Sequence, residues 1–80
     1  MDTRQAVVNR INSLCEDNGI TPNALSYKAG VPQSTIKSIL NNETKNVGIV
    51  TIKKICDGLE MKLPEFFDAK DFWELEQEIR

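Results

Sequence analysis

The sequence contains no histidine among its 80 residues. That removes the side chain best suited to proton transfer near neutral pH and the commonest imidazole metal ligand. Cysteine is nearly as scarce. Cys15 and Cys56 stand far apart, and without histidine partners two thiolates cannot complete a four-ligand zinc site. Only four glycines occur, and none belongs to a phosphate-cradling loop or a nucleophile elbow. No catalytic residue, metal site or cofactor is therefore assigned, and an enzyme is not expected. Long apolar runs are also missing, none approaching the roughly 20 residues that cross a bilayer. The opening MDTRQAVVNR lacks the apolar centre of a signal peptide. A cytoplasmic location with no membrane partner is expected. Both cysteines sit among apolar residues at helical spacing. They read as small core residues of a reduced protein, with a disulfide across helices as the alternative.

What is present describes one small domain. An apolar content of 40% beside 28% charged residues suits a folded globular chain near the lower size limit for a single core. Asp2 and Gln5 stand at capping-box spacing, Val7, Val8, Ile11, Leu14 and Cys15 follow at helical period, and Asn18-Gly19 closes the run. This predicts a first helix over about 3–18. Thr21-Pro22 supplies a cap and an N1 proline for a second helix, with Ala24, Leu25 and Ala29 inward and Gly30 as its stop. Pro32 fixes its own φ and pushes Val31 out of the helical region, so a third helix starts at Gln33 and runs to about Leu40. Residues 41–48, NNETKNVG, form a loop by composition. Asn41 is read both as a left-handed helix terminator and as a contact residue. Ile49, Ile52, Ile55, Cys56 and Leu59 mark a fourth helix, and Leu63–Phe67 a short fifth. Asp71 and Glu74 again have capping-box spacing and head a last segment with Phe72, Leu75 and Ile79 on one face. No strand alternation is visible.

The third helix carries the informative pattern. Ile36, Ile39 and Leu40 occupy one side, while Gln33, Ser34, Lys37, Ser38 and Asn41 make a continuous polar stripe on the other. Two short helices joined by a glycine-centred turn, the second with a polar outer face, define a helix-turn-helix. The residues Leu25, Ala29, Gly30, Val31, Ile36 and Ile39 resemble the spacing of the phage repressor and Cro-type, or XRE-like, regulators. The following IVTIKKICDGLEMKLPEFF is similar to that family's fourth and fifth helices, and the likeness extends over about residues 4–67.

The resemblance implies an all-α, compact five-helix lambda-repressor-like domain over 1–67. Residues 68–80 are expected to add a short acidic amphipathic helix to the same domain. It further implies sequence-specific binding to double-stranded DNA as a homodimer on a palindromic operator, acting as a transcriptional repressor. Carried over by position, Gln33, Ser34, Lys37 and Ser38 face bases. Thr21, Asn23, Thr35, Asn41, Thr44, Lys45 and Asn46 face phosphates, Thr35 being also a possible helix cap. Tyr27 is either a packing residue or a phosphate donor. Several residues depart from the family pattern. Pro22 replaces a glutamine that braces the recognition helix, Ser26 and Gly58 replace alanines, Leu40 a frequent glutamate, and Pro32 a capping serine or threonine.

The net charge of −2 is unevenly spread. Residues 1–59 carry seven basic and five acidic side chains, net +2, whereas residues 60–80 carry three and seven, net −4. Few cations near the third helix predict weak non-specific affinity, so a dimer is needed for useful binding. Phe67, Phe72 and Trp73 are the expected dimer interface, with Phe66 assigned to the core. The rival reading is a protein-interaction module, an antitoxin or adaptor whose aromatic and acidic C-terminus binds another protein.

Overall fold

The computed structural model describes residues 1–79. Its elements are α1 (Thr3–Asn18), α2 (Pro22–Ala29), α3 (Gln33–Leu40), α4 (Ile49–Gly58), α5 (Leu63–Phe67) and α6 (Lys70–Trp73), with no strand among the described residues.

Local chemistry sets most of the boundaries. Asp2 Oδ1 accepts the Gln5 amide at 2.7 Å. The reciprocal half of a capping box is not made, because the Gln5 side chain donates to Asn9 instead. Gly19 and Gly30 end α1 and α2 with φ of 62° and 64°, a left-handed turn that costs a residue with a Cβ about 1–2 kcal/mol. Thr21 caps α2 by accepting the Ala24 amide at 3.1 Å, and Pro22 fills the first turn. Pro32, at the capping position before α3, provides no side-chain cap. At the other end of α3 the sequence reading needs correction. Asn41 has φ −88°, and the left-handed position belongs to Asn42 at φ 60°. The Asn42 and Glu43 amides then close back on the Ile39 and Ser38 carbonyls at 3.1 and 2.9 Å.

Helices this short do not persist alone, so tertiary burial holds them. Ile11, Leu25, Ile36, Ile39, Ile55, Cys56 and Phe66 fill the centre, each large side chain contributing roughly 1.5–3 kcal/mol by leaving water. α2 packs against both α3 and α4. Ser26 of α2 is buried and donates its hydroxyl to the Asn23 carbonyl at 2.6 Å, within its own helix. At the contact with α4, Gly58 lies against the backbone of Lys28 and Ala29, and a Cβ there would come within 2.7 Å of the Lys28 carbonyl. The glycine that departs from the family pattern is thus required by this crossing. Ile49, the first residue of α4, is 56% exposed, and burial along this helix begins at Ile52. Cys15 and Cys56 are both buried and unbridged, and burial pushes both thiols up from their ordinary pKa.

The C-terminal segment differs most from expectation. Of the helix expected over 68–80, the described residues form only the single turn of α6, Asp71 lies inside that turn, and Ile79 is exposed, while Arg80 lies outside the described residues. Continued helix would stack Asp71 on Glu74 and Glu74 on Glu78, like charges at i,i+3 and i,i+4 that oppose it. Instead the tail extends across the start of α1, where acidic groups meet the positive end of the helix dipole. The Glu76 amide donates to the Met1 carbonyl at 3.0 Å, Thr3 donates to Glu78 at 2.8 Å, and Asn9 donates to Asp71 at 3.1 Å. Arg10 fastens α5 to α1 by donating to the Phe66 and Glu65 carbonyls at 2.7 and 2.8 Å. Such a cation at a helix C-terminus satisfies carbonyls that the helix leaves unpaired.

Candidate nucleic-acid interface

α3 is amphipathic in the sense a groove-binding helix needs. Ile36 and Ile39 are buried, while Gln33, Ser34 and Lys37 are exposed and Thr35 and Ser38 half-buried at the border. Gln33, Lys37 and Asn41 follow one another at i, i+4 and i+8. With Pro22 and Asn23 at the start of α2 they line a shallow groove of about 290 Å³. The fold therefore brings Asn23, Gln33, Lys37 and Asn41 to one place. Ser34 and Ser38 continue the face beyond it.

The remaining candidates sit at the rims. Thr21 is exposed, and its hydroxyl oxygen is engaged by the Ala24 amide, which leaves the hydroxyl proton to donate outward. Thr44, Lys45 and Asn46 belong to the loop between α3 and α4, with Lys45 and Asn46 exposed and Thr44 half-buried. Lys45 and Asn46 border a separate open cleft of about 650 Å³ that they share with the start of α1 and with Glu78. The acidity of the C-terminus is thus not remote from the loop.

Electrostatically the face is mild. Glu43 is the only acid between residues 21 and 45, against Lys28, Lys37 and Lys45. The sequence reading assigned no role to Arg4, which lies on α1 and donates to the Asn42 carbonyl at 3.1 Å. It brings a further cation to the loop, and no spacing signal marks it because its partner is 38 residues away. Tyr27 is 77% exposed and its ring serves no core contact. Its hydroxyl instead lies 3.2 Å from Gln33 Nε2. Of the α3 side chains, Gln33 alone is held by a hydrogen bond among the described residues.

Phe67 and Phe72 are half-buried and stack edge-on with ring centroids 5.1 Å apart, both resting on Phe66. They complete the core of this chain, and Trp73, 82% exposed, is the C-terminal aromatic left with a free face. No cluster of three or more potential metal ligands occurs among the described residues, and none of their helices is long and apolar enough to cross a membrane.

Comparison with known families gives one match, to the Cro/C1-type HTH DNA-binding domain, over residues 10–71. No curated relative and no solved structure matches the chain significantly. The matched span covers α2, α3, α4 and α5 entire, together with the C-terminal half of α1. The chain therefore belongs to the Cro/C1-type helix-turn-helix family of DNA-binding domains.

Proposed function

We propose that the protein is a transcriptional repressor that binds a palindromic operator as a homodimer, with α3 of each protomer in the major groove. The observation that carries this reading is the outer face of α3, which offers hydrogen-bonding groups and little charge. Such a face reads base edges better than it grips phosphates, and a glutamine amide pairs bidentately with adenine. Gln33, Ser34, Lys37 and Ser38 are assigned to bases. Thr21, Asn23, Thr35, Asn41, Thr44, Lys45 and Asn46 are assigned to phosphates, where they set register. Repression is the simplest outcome, since occupying a promoter suffices to exclude polymerase and requires no activating surface. The site of action is the cytoplasm.

The dimer is supported by the small number of cations on the face, which makes one half-site a weak ligand. Trp73 of α6 offers the contact, with Phe67 and Phe72 supporting it from below. An isologous pairing there fixes the spacing of two half-sites.

Selection from a random duplex pool tests the reading. The native protein enriches a two-fold symmetric sequence. Gln33→Ala loses roughly 1–3 kcal/mol of discrimination at one base pair per half-site and leaves the salt dependence nearly unchanged. A pool that yields no preferred sequence at low salt ends the proposal.

A further inference from the structure

Gln33 begins α3 with an exposed, long side chain. Such a chain loses considerable rotamer freedom when it is fixed against a base, which weakens whatever discrimination it provides. At the start of α2, Asn23 lines the groove with Gln33 but makes no side-chain hydrogen bond with it among the described residues. Pro22 borders the same groove but has no side-chain donor or acceptor. The Tyr27 hydroxyl, 3.2 Å from Gln33 Nε2, is the partner that is present. Its helix is a firm mount, because Leu25, Ser26 and Ala29 are buried and Gly58 of α4 presses on the Lys28 and Ala29 backbone. The phenol ring is otherwise unemployed, standing 77% exposed.

We propose that Tyr27 is a positioning residue for base reading: its phenol oxygen holds the Gln33 amide so that the remaining amide donor and acceptor face the groove as an adenine-matching pair. The amide nitrogen carries two protons. The one directed away from the carbonyl oxygen goes to Tyr27. The other lies on the same side as Oε1, and these two atoms form the edge that pairs with adenine N7 and N6. The bond to Tyr27 and the bond to the base are therefore compatible, and the first prepares the second. The proposal rests on Gln33 reading a base, as argued above.

Tyr27→Phe removes the hydroxyl alone. In the free protein, the side-chain amide resonances of Gln33 shift relative to wild type while Tm stays the same. On DNA, using the selected site and single-base variants of it, Tyr27→Phe reduces discrimination roughly three- to tenfold, the range expected for one net hydrogen bond. The reduction falls at the base pair that Gln33 reads, and the other positions keep their preference. In a Gln33→Ala background, Tyr27→Phe has no further effect. An unmoved Gln33 amide in the free protein overturns the proposal whatever the DNA result. So does an equal weakening on every sequence that persists in the Gln33→Ala background, since that assigns the hydroxyl to a phosphate. A Gln33→Ala protein with unchanged preference at every base pair is a different failure: it removes the base-reading role of Gln33 itself, and the positioning role with it.

Discussion

Gly58 shows how much a single residue determines in a domain this small. Alanine is the better helix former by about 1 kcal/mol, so propensity alone favours Gly58→Ala. Packing opposes it, because the added methyl meets backbone atoms at 2.7–2.9 Å and backbone cannot rotate away. Overpacking of this kind costs roughly 1–3 kcal/mol, and packing wins. Gly58→Ala is expected to lower Tm by about 5–15 °C, read by thermal denaturation followed by circular dichroism. An unchanged or raised Tm would mean that α2 and α4 separate at little cost. Nothing in the sequence exposes this contact. The residue appears there only as an odd glycine in a helix, because the reason for it lies on another element. Asn42 is similar: the run Asn41-Asn42 announces a turn, but which asparagine takes the positive φ depends on where Ser38 and Ile39 present their carbonyls.

Among the elements, those bounded by local signals were legible and those bounded by distant contacts were not. Asp2, Gly19, Thr21, Pro22 and Gly30 act within four residues of themselves, and the ends of α1 and α2 follow from them. The polar face of α3 was equally plain, since periodicity is a local property. The tail was misjudged because its residues satisfy a helical pattern and an extended one alike. Contacts with Met1, Thr3 and Asn9 decide between them, and those partners are more than 60 residues away. Ile49 marks the start of α4 as its spacing predicts, but a helical pattern does not say how far along the helix the core extends. α6 carries its own prediction. Trp73→Ala deletes the exposed aromatic of the C-terminal segment and weakens self-association about thirtyfold or more, as loss of a buried interface tryptophan does. Sedimentation equilibrium checks it. An unaltered association constant would move the dimer contact off α6.

For the whole molecule, the decisive quantity is how little positive charge the binding face holds. With Lys37 in the groove and Lys45 at the phosphates as the cations each protomer brings to the DNA, a dimer displaces about four counterions. The logarithm of the association constant should fall with the logarithm of salt at a slope near −4. Fluorescence anisotropy on the selected site between low and moderate salt measures it. A slope steeper than about −7 would show that Arg4, Lys28 and others join the contact and that charge does more than the α3 face suggests. A shallow slope fits a protein whose selectivity lies in amide and hydroxyl groups.

The extended tail has a practical corollary. Because Glu76 pairs with Met1 and Glu78 with Thr3, the two ends of the described chain lie together, with Asp2, Thr3 and Glu78 bordering the cleft that Lys45 and Asn46 also line. Any tag, fusion partner or further stretch of chain attached at Met1 starts beside that corner. It would stand close to the loop assigned to the DNA backbone, so the N-terminus is not a neutral handle for attaching this domain to a surface or to another protein.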